Sequence, residues 1–421
     1  MTRTAKLPPQ PWMTAPATER VLAALGAKGA EVRFVGGCVR DAILGRPVKD
    51  IDIATHDPPE AVIALLEAAG IKVVPTGLAH GTVTAVIGPD HFEITTLRRD
   101  VETYGRRAKV AFTGDWAADA ARRDLTINAL FAAPDGTLYD PFGGLEDLRR
   151  GRIRFVGDAR TRIREDVLRL LRFFRFFAHY GKPPPDAEAL AACRELALLL
   201  PTLSGERVAA ETLKLLAAPE PASVVALMIE HGIVAHFLPE ADGVAPLRAL
   251  VTLEGLGPGT DALRRLAALL DPRQGSEGAD ALALRLRFSN AERERLVALA
   301  APAEVPQPEM SEKVQHLLLY RLGAARFRDL ALLAWAHEIA RSGPSPRRVT
   351  EAWREHLAAA ASWTPRRLPV KGRDALRLGV PAGPKVGRLI AALEAWWIEE
   401  DFRPTREACL AKLRELAQSG S

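Results

Sequence analysis

The sequence predicts an α+β protein, with an N-terminal head built on a mixed sheet followed by an all-helical neck, body and tail. Segments rich in β-branched residues, which are typical of strands, lie before residue 145. Helical segments alternate with these strands, which favours a mixed sheet. After Gly151 the strand patterns fade, and Ala, Leu, Arg and Glu dominate. The two halves of the chain therefore belong to different structural classes.

The length of 421 residues is too great for one compact core, since domains usually have ~100–200 residues. The chain is 48% hydrophobic and 26% charged, which excludes a wholly disordered or fibrous protein. Changes in composition and clusters of Pro and Gly then suggest the domain boundaries. We predict a head (1–145), a neck (146–215), a body (216–305) and a tail (306–421).

The sequence also suggests a compartment. No run reaches the ~18–20 apolar residues that a membrane helix needs, and Met1–Thr14 lacks the apolar core of a signal peptide. Cys38, Cys193 and Cys409 are too far apart in sequence to suggest a disulfide framework. We therefore expect free thiols and a cytoplasmic protein.

Four segments of the head have the pattern of strands. They are Glu31–Val35, Lys49–Ala54, Thr82–Ile87 and Phe92–Leu97. Gly88–His91 reads as a hairpin turn between the last two. Pro59–Ala69 has apolar residues at helical spacing and predicts a helix between strands.

A pair of carboxylates on the second predicted strand is the most informative feature. Residues two apart on a strand share a face, so Asp50 and Asp52 point one way while Ile51 and Ile53 point into the core. Adjacent carboxylates repel one another unless a cation lies between them. Their oxygens suit Mg²⁺, which also binds phosphate oxygens and water. Such pairs also occur on solvated strand faces.

A glycine pair upstream strengthens the case for a phosphate site. Gly36 and Gly37 follow the first predicted strand and open a short helix, Cys38–Leu44, that carries Arg40. Glycine allows close approach of the backbone to a ligand, and helix N-termini attract anions. A tight structural turn is the alternative for the glycines alone.

The segment 36–54, GGCVRDAILGRPVKDIDIA, resembles the signature of the nucleotidyltransferase superfamily, specifically the class II tRNA nucleotidyltransferases and bacterial poly(A) polymerases. The resemblance implies that Asp50 and Asp52 hold two Mg²⁺ ions, as in two-metal in-line displacement. It also implies that Gly37 and Arg40 touch the nucleotide. Glu93 is the nearest candidate for the third carboxylate of some superfamily members, with a purely structural role as the alternative.

Two further segments resemble family motifs. In ARRDLTINAL (121–130) the resemblance implies that Arg123 contacts the nucleotide and that Asp124 lies near the ribose. In EDVLRLLRFFRF (165–176) the apolar residues have helical spacing, and Asp166 and Arg169 are neighbours on another face of the predicted helix. The alternative for the first segment is an exposed helix start, and the alternative for the second is an ordinary ion pair between Asp166 and Arg169.

The resemblance implies that Asp166 and Arg169 act as a protein template for the base. Cytosine and adenine present an amino donor beside a ring-nitrogen acceptor, which matches an acceptor-only aspartate beside a donor-only arginine. Uracil and guanine present the opposite order. The same resemblance implies that Arg172 and Arg175 contact the phosphates of the nucleotide.

Arginines are concentrated around this motif. Between Arg149 and Phe176 there are ten arginines against three acids, although the whole chain carries a formal charge of only +5. Such a local excess fits phosphate binding. A solvated charged face is the alternative.

Flanking segments distinguish the two sister activities of the family. PTGLAHGTVT (75–84) and the following FEITTLRRD resemble the CCA-adding pattern, and residues 100–117 have the length of the flexible loop of full CCA enzymes. We therefore predict a CCA-adding tRNA nucleotidyltransferase that uses CTP, ATP and Mg²⁺. The alternatives are a poly(A) polymerase of the same fold and a non-catalytic RNA-binding protein on this fold.

Overall fold

The computed structural model describes residues 3–104 and 107–419. Gly105 and Arg106, within the predicted loop 100–117, lie outside the described residues. The chain forms two compact units, one of Met1–Ala241 with Arg285–Arg287 and one of Asp242–Leu284 with Phe288–Ser421. The division into head, neck, body and tail stays a prediction.

The described strands all lie in the first unit. They are β1 (Arg3–Lys6), β2 (Val32–Val35), β3 (Ile51–Thr55), β4 (Lys72–Gly77), β5 (Thr82–Ile87), β6 (Asp90–Thr96), β7 (Arg98–Tyr104), β8 (Arg107–Phe112), β9 (Phe131–Ala132) and β10 (Thr137–Tyr139). Eight of them form one sheet in the order β1-β10-β9-β2-β3-β6-β5-β4, while β7 and β8 pair separately. The β3–β6 pair is parallel and the other pairs of this sheet are antiparallel. The predicted mixed sheet is confirmed.

Helices of the first unit cover the sheet and continue beyond it. They are α1 (Pro16–Gly26), α2 (Gly37–Ile43), α3 (Pro59–Ala68), α4 (Trp116–Ala121), α5 (Gly144–Arg150), α6 (Ala159–Glu165), α7 (Leu168–Tyr180), α8 (Ala187–Leu196), α9 (Gly205–Leu216) and α10 (Pro221–Glu230). Short 3-10 turns lie at Leu78–His80, Thr126–Asn128, Ala197–Thr202 and Val234–His236.

The described secondary-structure elements of the second unit are helices, together with a 3-10 turn at Pro272–Gln274. Its helices are α11 (Ala245–Glu254), α12 (Ala262–Ala267), α13 (Gly275–Arg285), α14 (Asn290–Ala300), α15 (Glu312–Leu322), α16 (Ala324–Ser342), α17 (Arg347–Ser362), α18 (Gly372–Arg377), α19 (Pro384–Glu399) and α20 (Arg406–Ser419). In its core, Arg264 is 1% exposed and forms ion pairs with Glu254 and Asp329. The predicted helical C-terminal half is confirmed. Across the described residues, no helix is long and apolar enough to cross a membrane.

The centre of the sheet positions the carboxylate pair. β3 pairs with β2 on one side and with β6 on the other, so it is an interior strand. Ile53 is fully buried, as are Phe34 on β2 and Ile94 on β6. The alternation predicted for Ile53 is therefore correct, and it leaves the neighbouring Asp52 on the opposite face of the strand.

The helix predicted over 165–176 is confirmed from Leu168 onwards, but it is interrupted at Asp166. α6 ends at Glu165, Asp166 adopts an extended conformation (φ −151°, ψ 105°), and α7 begins at Leu168. The Asp166 carboxylate accepts a hydrogen bond from the Leu168 N–H at 3.2 Å. Aspartate commonly makes such local bonds in place of a continuous helix, and this bond explains why the chain breaks there.

Candidate active site

Asp50 and Asp52 stand at the start of the interior strand β3. Asp50 is exposed and immediately precedes the strand, while Asp52 is half-buried within it. In the parallel pairing of β3 with β6, Asp52 is the register partner of Glu93. The sheet thus adds a third carboxylate to the pair that the sequence indicated.

The charges around Asp52 show which groups converge there. Burial and the negative charges of Glu93 and Asp50 raise the pKa of Asp52 to about 6, against the opposing effects of Arg123 and Arg40. Acids from two strands and arginines from two other segments therefore act on the same carboxylate. Negative charge remains in excess at Asp52, which is the condition that favours a bound cation.

The turn before α2 approaches these groups closely. Gly36 has φ 72°, which L side chains rarely adopt. A Cβ at Gly36 would lie 3.5 Å from Arg123 Nη1 and 3.9 Å from Asp52 Oδ2. Gly37, which we predicted to touch the nucleotide, is the first residue of α2, and a Cβ there would lie 3.8 Å from Arg40 Nη2. Gly36 is the residue of the pair whose conformation requires glycine.

Arg40 is buried on α2 and held by two partners. Its Nε and Nη2 donate to the Asp41 carboxylate at 3.0 and 2.9 Å, and its Nη1 donates to Asn128 Oδ1 at 2.7 Å. Asn128 in turn donates to Asp124 Oδ1 at 3.1 Å. Asn128 was missed at the sequence level, because an amide in an apolar segment gives no signal of its partners.

Arg123 is oriented by an acid of the preceding helix. Its Nη2 donates to Asp119 Oδ2 at 3.0 Å, and its guanidinium lies 5.3 Å from the centre of the Phe131 ring. Asp119 is 1% exposed and also accepts from Arg122 Nε at 2.8 Å. The i,i+4 spacing of Asp119 and Arg123 was the available sequence signal for this pair.

Ion pairs join α7 to Asp124 of the head and to Glu211 of α9. Arg172 Nε donates to Asp124 Oδ2 at 2.6 Å, so Asp124 has both an arginine and Asn128 as partners. Arg175 Nε lies 2.7 Å from Glu211 Oε2, and Glu211 on α9 is only 5% exposed. Sequence reasoning missed Glu211, which fixes Arg175 beside Arg172.

Asp166 and Arg169 do not form an ion pair with each other, and each pairs with a different charged residue. Asp166 accepts from Arg207 Nη2 at 2.7 Å, and Arg169 Nη1 lies 2.5 Å from Glu165 Oε2. Both side chains are largely buried, with 22% and 13% of their surface exposed. The alternative of an ordinary ion pair between Asp166 and Arg169 on one helix is therefore not the arrangement found. Arg207 was missed, although its i,i+4 spacing with Glu211 marked a charged stripe on α9.

The ten arginines that are concentrated in 149–175 all have carboxylate partners in the folded structure. Each of the ten arginines in 149–175 lies within 4.0 Å of a carboxylate, and seven acids supply these carboxylates. These are Asp124, Glu146, Asp147, Glu165, Asp186, Glu195 and Glu211. All but one of these acids lie outside the segment, so carboxylates from other parts of the chain pair with its arginines, and phosphate binding by this segment stays a prediction.

The donor set fits a divalent cation that completes its coordination with substrate. Within the described residues, no group of three or more His, Cys, Asp or Glu side chains forms a ready-made metal cage. Mg²⁺ commonly binds through one or two carboxylates plus water and phosphate oxygens. Asp50 and Asp52 meet that requirement, and the negative charges of Glu93 and Asp50 beside Asp52 are ones that a cation would offset.

Comparison with protein families agrees with the fold. A family described as "Poly A polymerase head domain" matches residues 32–154. A second, described as "Probable RNA and SrmB- binding site of polymerase A", matches residues 185–244. The first match includes β2–β10 and the second includes α8–α10. In the sequence, α6 and α7 lie between the two matches.

Individual relatives match most of the chain. The CCA-adding enzyme of Geobacillus stearothermophilus is 35% identical over 382 residues, covering 90% of each protein. "CCA tRNA nucleotidyltransferase 1, mitochondrial" of Danio rerio is 33% identical over 394 residues, covering 91% of this chain and 87% of that protein. Both names support the predicted CCA-adding class over the poly(A) polymerase alternative.

Solved structures give the same result. The Bacillus stearothermophilus CCA-adding enzyme in complex with CTP matches with a TM-score of 0.72 and 30% identity, over 97% of this chain and 99% of that one. The Thermotoga maritima CCA-adding enzyme complexed with tRNA shares the fold, with a TM-score of 0.63 and 18% identity over 100% of both chains. The chain therefore belongs to the family of CCA-adding tRNA nucleotidyltransferases, as its sequence motifs predicted.

Proposed function

We propose that this chain adds C, C and A to the 3′ end of tRNA from CTP and ATP, without a nucleic-acid template and with release of pyrophosphate. The observation that carries the proposal is the convergence of Asp52, Asp50 and Glu93 with Arg40 and Arg123 beside the Gly36 turn. Acids that hold a cation and arginines that attract phosphates are what nucleotidyl transfer requires. The names of the relatives support CCA addition.

Asp50 and Asp52 are proposed to hold two Mg²⁺ ions. When bound, these ions activate the RNA 3′-hydroxyl and neutralise charge on the triphosphate. Asp52 presents its carboxylate from an interior strand, so the sheet fixes its position. Asp50 precedes the strand and is exposed, where it can meet water and substrate.

Arginines of the head and of α7 are proposed to hold the triphosphate. Arg40 and Arg123 lie close enough to Asp52 to act on its charge, and their acids Asp41 and Asp119 orient them. On α7, Arg172 and Arg175 are proposed to contact the phosphates, and Asp124 and Glu211 orient them. The proposed contribution of Gly37 is its backbone N–H at the start of α2.

Asp166 and Arg169 are proposed to choose the base. A carboxylate accepts from the amino group of cytosine or adenine, and a guanidinium donates to the adjacent ring nitrogen. A carbonyl facing Asp166 would leave that carboxylate unmatched, which costs about 1–3 kcal/mol or more. Uracil and guanine are then rejected by the side chains of the protein itself.

The partners and location follow from the same proposal. We propose that the helical domains hold the tRNA while the head carries out the chemistry, as the predicted tail assignment implies. A cytoplasmic location stays a prediction, and the buried thiols Cys38, Cys193 and Cys409 fit a reducing compartment. Relatives from vertebrates carry mitochondrial names.

Sequencing of reaction products tests the function directly. Purified protein is incubated with Mg²⁺, a tRNA transcript that lacks its last three nucleotides, and all four nucleoside triphosphates. We expect products that end in CCA and go no further. A long A tail would support the poly(A) polymerase alternative, and no extension would support the RNA-binding alternative.

A further inference from the structure

The aspartate proposed to read the base is held by an arginine from another helix. Asp166 lies between α6 and α7, and Arg207 lies in the first turn of α9. The Nη2 of Arg207 donates to both carboxylate oxygens of Asp166, at 3.0 Å to Oδ1 and 2.7 Å to Oδ2. Arg207 is 14% exposed, so this pair is largely shielded from water.

These bonds leave the carboxylate little freedom to accept others. An ionised carboxylate has about four acceptor sites, two on each oxygen. Arg207 and the Leu168 N–H, which lies 3.2 Å from Oδ1, occupy both sites on Oδ1, and Arg207 occupies one on Oδ2. Counting partners among residues 3–104 and 107–419, one acceptor site therefore remains, and it is on Oδ2.

The partner residue Arg169 is restricted in the same way. Its Nη1 donates to Glu165 Oε2 at 2.5 Å and to the Arg162 carbonyl at 3.2 Å, while its Nη2 donates to the Arg122 carbonyl at 3.1 Å. A guanidinium has five N–H groups. The bonds to described residues leave Nε–H and one Nη2–H of Arg169 for a ligand. Arg169 can therefore donate to a base, while Asp166 can accept from it through one site.

We infer that Arg207 is a specificity-determining residue, which fixes Asp166 so that its one open acceptor faces the base. The inference rests on the proposed function and deepens its base-reading step. The terminal torsion of an aspartate is broad when nothing holds it. Once freed, the Asp166 carboxylate can turn away from a carbonyl, and the penalty against uracil and guanine then falls.

The experiment compares nucleotide selectivity in Arg207→Met with the wild type. We measure kcat/KM for CTP against UTP on tRNA lacking CCA, and for ATP against GTP on tRNA ending in CC. We expect both ratios to fall roughly tenfold or more, since one unmatched buried polar group accounts for about that factor. Arg287→Gln is the matched control, because it removes a 2.9 Å surface ion pair between Arg287 and Glu206. Glu206 lies on α9, the helix that also carries Arg207. Its ratios should equal those of the wild type.

A third variant, Asp166→Ala, separates the possible failures. If the wild type adds no CCA, the proposed function fails, and the inference fails with it. If Asp166→Ala keeps the wild-type ratios, the template role is wrong, and so is the inference. If Asp166→Ala is relaxed but Arg207→Met is not, the inference alone is overturned. Should Arg207→Met lack a cooperative melting transition, Arg207→Gln decides, with a severalfold fall supporting the inference and unchanged ratios overturning it.

Discussion

Asp52 and Glu93 are register partners on the parallel strands β3 and β6. After burial, the charge of Glu93 is the largest contribution that raises the pKa of Asp52. Carboxylates from adjacent strands repel one another unless a cation offsets their charge. The sheet therefore brings a third acid to the Asp50–Asp52 pair, and the Gly36 turn lies beside it, since a Cβ at Gly36 would lie 3.9 Å from Asp52 Oδ2.

Replacing either acid of the pair should abolish nucleotide addition. We expect Asp50→Ala and Asp52→Ala to lower the initial rate roughly 10³-fold or more, because each removes a proposed ligand of the catalytic ions. Filter binding should show largely unchanged tRNA affinity, because the helical domains are proposed to carry most of the RNA contacts. Asp90→Ala, in the β5–β6 hairpin, is the control for loss of an acid on the head. Full activity in either test variant would remove that residue from the metal site.

Glu93→Gln should change the metal requirement more than the maximal rate. Removing one negative charge beside Asp52 weakens the attraction for a divalent cation, so half-maximal activity should need roughly three- to tenfold more Mg²⁺. A Mg²⁺ titration of the addition rate measures this shift. Glu67→Gln, which replaces an exposed acid on α3, should leave the titration unchanged. An unshifted midpoint in Glu93→Gln would indicate a purely structural role for this strand residue.

The two glycines before α2 should respond differently to alanine. Gly36 has φ 72°, so Gly36→Ala strains the backbone by about 1–3 kcal/mol. It also places a methyl group 3.5 Å from Arg123 Nη1, where the nucleotide is proposed to bind. Gly37→Ala has neither effect, because Gly37 is already helical. We expect Gly36→Ala to lower the melting temperature and raise KM for CTP, and equal behaviour of the two variants would contradict the assigned turn.

The elements that the sequence predicted well are those that depend on local patterns. β5 has the predicted bounds, Thr82–Ile87, and α3 ends one residue earlier than predicted. Alternation on β3 correctly placed Ile53 in the core and Asp52 on the other face. Such features follow from the period of apolar residues in a single segment, which is visible in the sequence.

The features that the sequence did not predict depend on contacts between distant segments. Glu211 pairs with Arg175 from 36 positions away (211 − 175), and Arg207 pairs with Asp166 from 41 positions away. The break at Asp166 arises from a bond to the Leu168 N–H. The apolar spacing of 165–176 favoured one continuous helix, and spacing alone does not report a capping side chain.

The bond between Asp124 and Arg172 should make stability depend on pH. Burial alone would raise the pKa of Asp124, but the charge of Arg172 and hydrogen bonds from Asn128, Arg172 and the Leu125 N–H lower it below its ordinary value. A lowered pKa in the folded state stabilises the fold above the unfolded-state pKa of about 3.9. That stabilisation is lost as the pH falls through the folded-state pKa.

We therefore expect Asp124→Asn to lower the free energy of unfolding by about 1–3 kcal/mol near pH 7. The amide would present a donor to Arg172 Nε, which now donates to Asp124 Oδ2 at 2.6 Å. Urea unfolding at about pH 7 and about pH 3.5 measures the difference between variant and wild type, which should narrow at the lower pH. Asp90→Asn, on the β5–β6 hairpin, should show little difference at either pH. A difference for Asp124→Asn that is equal at both pH values would mean that the charge of Asp124 does not stabilise the fold, because only a charged carboxylate loses its advantage on protonation.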